Sequence, residues 1–305
     1  MSDATLGQAN QVLSLIAKST NPHSSAQWLV ENFGAVQKMV ASGFTQAQIE
    51  AALVHFNPYA SERVEPKFFY PEGYKPNSIE EQVGRLRLRY DWLDDSHVAE
   101  IAASWPEYER ADGLYVIPKP SSLAVHLGVE NPWDNFGLLT EQGPISALAV
   151  HWTENGRTFR NYLNGQMTPE YYRLAGKAKS ELALLEATQS GDLLVFPAQT
   201  GRLYAGCSVR NSRNQIQRAE NPSQWPLPSY VVAWMLYANE HRLTAYGHLA
   251  IDCPGDEYSF DADGRFDDSL YFGFSGGRLN FGSGLIGYAD GGFGSASGFS
   301  RLYLN

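Results

Sequence analysis

The stretch "PSYVVAWMLYANEHRLTAYGHLAIDC", residues 228–253, holds a helix signal and a strand signal in succession. Its first part, "PSYVVAWMLYANEHRL", is apolar through most of its length, which predicts a helix buried on most of its faces. Its last residues, "HLAIDC", form a short apolar run of the kind that predicts a strand. A buried helix that leads into a strand is typical of a domain in which helices pack against a sheet.

Strand and helix signals alternate in the residues before this stretch. "LYVIPKP" (114–120), "SALAVHW" (146–152) and "GDLLVFPA" (191–198) predict strands, because they are short and apolar, with β-branched or aromatic residues. "ENGRT", after the second of them, has the composition of a hairpin turn. "TPEYYRLAGKAKSELALLEAT" (168–188) predicts a helix with Thr168 as its N-cap and proline at its first position.

The C-terminal part of the chain has a different composition. "SVRNSRNQIQRAE" (208–220) predicts a short helix. Ten of the 28 glycines fall in residues 271–305, between Phe, Tyr and Leu residues, which predicts short strands joined by tight turns. The sequence therefore predicts the α+β class: a small helical N-terminal module, followed by a mixed α+β domain over residues 113–305 that ends in short glycine and aromatic hairpins.

The N-terminal residues 1–57 have helical spacing interrupted at Ser42-Gly43, which resembles a helix-turn-helix unit. Thr45, Gln46 and Gln48 open its second helix and are the candidate contacts to specific DNA. A plain helical packing or oligomerisation module has the same spacing. Residues 58–112 predict a junction rich in proline and aromatic residues and then a pair of helices, the first with a capping box.

Composition excludes several classes of protein. A formal net charge of −10 disfavours non-specific binding of polyanions. No apolar run approaches the roughly 20 residues that span a bilayer, and an acidic residue stands where a signal peptide needs a basic one. We therefore expect a cytoplasmic protein without a membrane segment. Cys207 and Cys253 are expected to be buried free thiols.

The segment "LAIDCPGDEYSFDADGRFDDSLYF", residues 249–272, carries seven carboxylates and one basic residue, Arg265. The simplest interpretation is a hydrated loop that turns at Pro254-Gly255 and Asp263-Gly264, with its carboxylates in water or beside arginines. Hard cations offer another interpretation, because calcium and magnesium prefer oxygen ligands. The candidate ligands for calcium or magnesium are Asp256, Asp261, Asp263 and Asp267.

A metal-assisted hydrolase of the glycosidase or nuclease type is a third interpretation of the acidic stretch 252–268. Two carboxylates with different pKa values, or two carboxylates with a nearby cation, are what these reactions need. The candidate catalytic residues are Asp252, Asp256, Glu257 and Arg210.

The segment "RLYAGCSVRNSRNQ", residues 202–215, predicts a helix start that exposes backbone N–H groups. Ser208, Arg210 and Arg213 are therefore candidates to bind an anion such as a phosphate or a carboxylate. The alternative is that these arginines pair with the acidic residues after Asp252.

The motifs "GRLYAGCSVRN", "AIDCPGDEYSFDADG" and "GFGSASGF" resemble a set of bacterial proteins of unassigned function, over about the C-terminal half of the chain. The glycine and aromatic tail is also similar to the final strands of C-type-lectin-like domains. The chain lacks that family's disulfide cysteines and its Trp-Asn-Asp calcium motif, so the resemblance assigns no residues.

These observations predict a protein that acts by recognition, without a cofactor, toward a protein or glycan partner. Exposed loop aromatics and the Gly, Ser, Asp and Tyr residues of the tail suit adaptable hydrogen bonding. The hydrolase and the sequence-specific DNA-binding protein are the two alternatives. The sequence does not predict an oligomeric state.

Overall fold

The computed structural model of the chain describes residues 57–219 and 223–300. The predicted contacts to DNA, Thr45, Gln46 and Gln48, lie outside the described residues, as does the rest of the predicted module before residue 57.

The chain divides into two compact units, Met1–Ser61 and Glu62–Asn305. Residues 62–112, which the sequence assigned to a junction and a helix pair, belong to the same unit as the sheet. The described residues bear out the α+β class, because helices flank one mixed sheet.

Eight α-helices lie in the described part of the chain, and we number them in order: α1 Ile79–Arg89, α2 Val98–Ala103, α3 Pro120–Leu127, α4 Phe136–Thr140, α5 Ser146–Glu154, α6 Gly176–Thr188, α7 Val209–Gln217 and α8 Ser229–Ala238. A π-helical turn, Glu141–Ile145, joins α4 to α5, and a 3-10 turn, Glu240–Arg242, follows α8.

Within residues 57–219 and 223–300, nine strands form one sheet: β1 Gly113–Pro118, β2 Thr158–Asn161, β3 Tyr172–Leu174, β4 Leu193–Ala205, β5 Gln224–Pro226, β6 Ala250–Tyr258, β7 Asp268–Ser275, β8 Arg278–Leu285 and β9 Phe293–Phe299. The strand order is β1-β4-β9-β6-β7-β8-β2, with β3 beside β6 and β5 beside β9. The β6–β9 and β2–β8 pairs are parallel and the other pairs are antiparallel.

Helix α8 is the central helix of the core, as its apolar sequence predicts. All ten of its residues are buried, and it packs against β1, β6 and α1. The face of the sheet toward the core carries fully buried side chains such as Ile251, Phe272 and Phe281. Successive side chains of a strand alternate between faces. The residues between these therefore lie on the opposite face of the sheet.

Several local predictions are confirmed. Helix α1 begins with the predicted capping box: the Ser78 hydroxyl accepts from the Glu81 N–H at 3.2 Å, and the Glu81 carboxylate accepts from the Ser78 N–H at 2.8 Å. Helices α2, α7 and α8 and strands β1, β4 and β6 also form where the sequence places them. The tail contains the predicted hairpin, in which β7 and β8 pair over eight residues.

The prediction of a strand at 146–152 is wrong, because these residues form helix α5. Leu148 and Trp152 lie one helical turn apart and are buried together, while Val150 is partly exposed. A short apolar run fits a buried helix as well as a strand, and here the preceding helical turns continue into it.

The predicted start of the helix at Thr168 is also wrong. Helix α6 begins at Gly176, and residues before it form strand β3, which pairs with β6. The Thr168 hydroxyl donates to Glu170 instead of capping a helix, and the Tyr172 side chain is buried. Pairing with a neighbouring strand outweighs the helix-start signal of the Thr-Pro-Glu sequence.

The predicted turn at Pro254-Gly255 is wrong for a different reason. Strand β6 continues through both residues and passes very close to the segment before α8. A Cβ atom at Gly255 would lie 2.5 Å from the Pro228 nitrogen and 2.7 Å from the carbonyl carbon of Leu227. The glycine therefore permits a close approach of two backbones, and no left-handed turn is needed there.

Candidate functional site

A cleft of about 800 Å³ lies on the face of the sheet that does not carry the core. Its floor comes from β6, β7 and β8, and its walls come from the loops around them. The aromatic residues that line it are Phe68, Tyr162, Tyr246, Phe260, Tyr271, Phe274 and Phe293. Clefts with aromatic walls and a few polar groups are typical of ligand-binding sites.

Glycines of the tail leave open space at the floor of the cleft beside Tyr271. Gly273 and Gly282 line the floor, and both stand beside the Tyr271 ring. A Cβ atom at Gly282 would lie 3.1 Å from the Tyr271 hydroxyl, so a side chain there would push against the ring. Phe293 meets the same ring edge-on, with ring centroids 5.3 Å apart. This packing fixes the position of Tyr271 at the base of the cleft.

Aromatic side chains are exposed at the rim of the cleft. The exposed fraction is 49% for Tyr162, 76% for Tyr246 and 62% for Phe260. These rings contribute little to the core, and large apolar side chains gathered at one cleft indicate an interaction site. Tyr246 also meets Phe68 edge-on, which gives that wall a defined geometry.

Asn280 lies at the floor of the cleft, with its amide held by neighbouring residues. Its Nδ2 lies 3.0 Å from the Ser275 hydroxyl and 3.2 Å from the Arg278 carbonyl. A carbonyl only accepts, so these contacts set which amide atom is the nitrogen. The Oδ1 of Asn280 accepts no hydrogen bond from any described residue, although the side chain is buried. An unsatisfied buried acceptor is costly, and this oxygen is closed off from the cleft as well as from solvent.

His248 is another polar residue of the cleft lining. Its Nδ1 accepts from the Thr244 N–H at 3.2 Å, so the neutral ring carries its proton on Nε2. Burial lowers the pKa of His248, and the charge of Arg242 lowers it further, so the neutral ring is favoured. Lys67 and Asp290 are the charged residues of the lining.

The predicted catalytic residue Asp252 adjoins this cleft. It stands opposite Tyr271 in the β6–β7 pairing and opposite Ser295 in the β6–β9 pairing. Ala250, two residues before it on the same strand, lines the cleft. The register therefore places the half-buried Asp252 on the same face of the sheet as the cleft, but Asp252 is not among the residues that line the cleft. Burial, together with repulsion from Asp290, raises the pKa of Asp252 to about 7.

The structure does not place Asp256 at the cleft. Between Cys253 and Tyr258 the pairing of β6 with β7 shifts, so that five steps on β6 match two on β7. This bulge turns Asp256 into the interior, where its carboxylate accepts from the Tyr172 hydroxyl at 2.6 Å and from the Ser229 N–H at 2.8 Å. Burial raises the pKa of Asp256 to about 7 despite these bonds.

Glu257, the third predicted carboxylate, forms an ion pair with Arg173 on strand β3 at 2.5 Å. Asp252, Asp256 and Glu257 thus have three separate environments, and the structure does not gather them into one site. The expectation that these carboxylates stay hydrated or find arginines holds for Glu257. It is wrong for Asp256, which is fully buried.

The predicted metal ligands are also divided. Asp261, Asp263 and Asp267 are exposed on the turn between β6 and β7, and Asp263 pairs with Arg265 at 2.6 Å. Asp256 lies apart from them in the interior. Within residues 57–219 and 223–300, no three His, Cys, Asp or Glu side chains are grouped so that they could hold a metal ion.

The predicted anion site already holds a carboxylate of the same chain. The Glu62 carboxylate accepts from the Ser208 hydroxyl at 2.6 Å and from Arg210 Nε at 2.7 Å. Arg213 does not join this group: its Nε donates to the Pro254 carbonyl at 2.9 Å and its guanidinium also contacts the Asp256 carbonyl. The alternative prediction, that the arginines pair with the acidic residues after Asp252, is wrong for Arg210, which pairs with Glu62, and Arg213 bonds main-chain carbonyls of that stretch, not its carboxylates.

Sequence reasoning missed most of the cleft. Tyr162, Tyr246, Asn280 and Asp290 come from separate segments, and the sequence pattern does not show that they meet. One signal was present: the glycine and aromatic residues of 271–305 suggested a recognition surface, and Tyr271 and several of these glycines line the floor.

Comparison with family models, with curated proteins and with solved structures finds no match to this chain. Among the described residues, none of the helices has the length and apolar character needed to cross a membrane.

Proposed function

We propose that this chain is a binding protein whose ligand is a saccharide held in the cleft. The observation that carries the proposal is the combination of exposed aromatic rings at the rim with polar side chains in the lining, among them Lys67, His248 and Asp290. A pyranose ring has an apolar face of C–H groups and an edge of hydroxyl groups. Tyr162 and Tyr246 supply rings for the first, and Lys67, His248 and Asp290 supply polar groups for the second.

The shape of the cleft supports a flat ligand. The glycine floor leaves space above Gly273, and Tyr271 stands beside it. Tyrosine presents a large, rigid surface with a polar tip, and it loses little conformational entropy when a ligand stacks on it.

The first test is a screen of the purified chain against immobilised glycans, followed by calorimetric titration of each glycan that binds. Gly273→Val should abolish binding, because a Cβ there makes only ordinary 3.6 Å contacts and the valine then fills the floor of the cleft. Gly284→Ala is the matched control, since its Cβ would lie 4.0 Å from Tyr271 and it is outside the lining. Binding that survives Gly273→Val would refute the proposed site.

We propose a cytoplasmic location. Specific DNA contact through Thr45, Gln46 and Gln48 is proposed only as an alternative for the N-terminal module, and a protein partner as an alternative occupant of the cleft.

A further inference from the structure

One wall of the cleft comes from the segment 62–70, which we call the strap. The strap runs beside the residues that precede strands β6 and β9, and backbone hydrogen bonds hold it there. The Lys67 N–H donates to the Gly291 carbonyl at 2.7 Å. Two residues further on, the Phe69 carbonyl accepts from the Leu249 N–H at 2.8 Å. The backbone of Lys67 is therefore fixed against the sheet at the edge of the cleft.

Two glycines let the strap lie close to the segment before β9. A Cβ atom at Gly291 would lie 2.5 Å from the Glu65 carbonyl oxygen and 3.0 Å from Cγ of Lys67. A Cβ atom at Gly292 would lie 3.2 Å from the Phe68 ring. The missing side chains thus make room for the strap, and Lys67 and Phe68 both line the cleft.

The two charged residues of the lining, Lys67 and Asp290, are close in this arrangement but do not pair. Within the described part of the chain, neither of them forms an ion pair at 4.0 Å or less. The Asp290 carboxylate accepts from the Gly292 N–H at 2.7 Å instead. Lys67 is exposed and Asp290 is half-buried, so a ligand in the cleft can reach a cation and an acceptor side by side.

The charge of the whole chain makes the lysine informative. A formal net charge of −10 repels anions from most of the surface, so a preference for an anionic ligand needs a local cation. Lys67 supplies the only permanent positive charge that the described residues give to the lining, because the neutral form of His248 is favoured. A lysine ammonium binds a carboxylate through charge-assisted hydrogen bonds, which are stronger than neutral ones.

We propose that the saccharide of this cleft carries a carboxylate, as hexuronic and sialic acids do, and that Lys67 selects it. This inference rests on the proposed saccharide site. The ligand carboxylate accepts from the Lys67 ammonium, and the Asp290 carboxylate accepts from hydroxyl groups of the same molecule.

Other classes of saccharide fit the two charges less well. A neutral sugar satisfies Asp290 through its hydroxyl groups but leaves the Lys67 ammonium without an anion. An amino sugar satisfies Asp290 and brings a second cation toward Lys67, which is unfavourable. An acidic sugar offers hydroxyl donors to the aspartate and an anion to the lysine.

The experiment titrates the intact chain calorimetrically with two acidic probes, tri-galacturonic acid and sialyllactose, and with the methyl ester of each. The ester removes the charge of the carboxylate and keeps the sugar ring and its hydroxyl groups. The wild type should bind the acid form of at least one probe about 10-fold more tightly than its ester, as a hydrogen bond to a charged group predicts.

Lys67→Met keeps most of the length of the side chain and removes its charge. It should weaken binding of the preferred acid by about 10-fold and leave binding of the ester within about 2-fold of the wild type. Lys67→Arg should retain most of the preference, because a guanidinium is also a cation. Lys179→Met is the matched control, since it removes the same charge from an exposed lysine of α6 outside the lining and should leave both affinities unchanged.

Esters that bind as tightly as the acids would overturn the inference and leave the proposed saccharide site intact, as would a screen in which only neutral glycans bind. Equal losses of acid binding in Lys67→Met and Lys179→Met would also overturn it, because the effect would then belong to the net charge. If no glycan of either kind binds, both the inference and the proposed function are wrong.

Discussion

Strand β6 carries two aspartates four residues apart, and the structure gives them opposite surroundings. Asp256 is fully buried, and Tyr172 and Ser229 both donate to its carboxylate. Asp252 is half-buried beside the cleft, and no described residue donates to its carboxyl group. Burial raises the pKa of each to about 7. A raised pKa alone therefore does not distinguish these two carboxyls, whereas their hydrogen-bond partners do.

The largest expected effect of this contrast is on stability. Asp256→Ala leaves the Tyr172 hydroxyl and the Ser229 N–H buried without an acceptor, and each such loss costs about 1–3 kcal/mol. We expect Asp256→Ala to lower the free energy of unfolding by about 2–5 kcal/mol, and Asp252→Ala to change it by less than about 1 kcal/mol. Urea unfolding of both variants measures the difference. Equal losses would mean that Asp252 also has a structural role.

The local folds that the sequence predicts correctly are those decided by neighbouring residues. The Ser78 capping box and the all-apolar run of α8 could be predicted because each depends only on the spacing of residues close together in the sequence. The turn predicted at Gly255 failed because its reason is a contact with Leu227 and Pro228, which are far from it along the chain.

The sequence predicted only part of the candidate site, because contacts between distant segments of the chain decide the rest. Asp252 was identified from the density of carboxylates around it, whereas Asp290, which lines the cleft, is 38 positions away along the chain and belongs to no pattern that the sequence shows. The opposite fates of Asp252 and Asp256 depend on the bulge in β6, since an unbroken alternation would put both on one face. A single sequence does not encode the position of that bulge in a readable pattern.

The next largest expected effect is the dependence of folding stability on pH. Because the pKa of both aspartates is raised in the folded state, the folded chain holds protons that the unfolded chain has released between about pH 4 and pH 7. Raising the pH through this window therefore lowers stability, by at most about 1.4 kcal/mol per pH unit for each retained proton.

Asp256→Asn tests this directly. The amide keeps the shape of the side chain, its oxygen accepts from Ser229, and its nitrogen donates to the Tyr172 oxygen. The decline in stability between pH 4 and pH 7 should become shallower than in the wild type, as measured by denaturant midpoints at several pH values. An unchanged slope would show that Asp256 does not hold a proton in this range.

The smallest expected effect is on two tyrosines: Tyr172, which donates to Asp256, and Tyr271, which stands opposite Asp252 on the neighbouring strand. Tyr172→Phe removes the hydroxyl that donates to Asp256 and leaves the ring in its buried place, so we expect a loss of about 1–2 kcal/mol in the free energy of unfolding. Tyr271→Phe removes a hydroxyl at the half-buried floor of the cleft and should change stability by less than about 0.5 kcal/mol. The order should reverse for glycan binding, which Tyr271→Phe should weaken and Tyr172→Phe should not. If Tyr172→Phe alone weakened binding, the ligand would contact the interior side of β6, and the division of the strand into a structural end and a cleft end would be wrong.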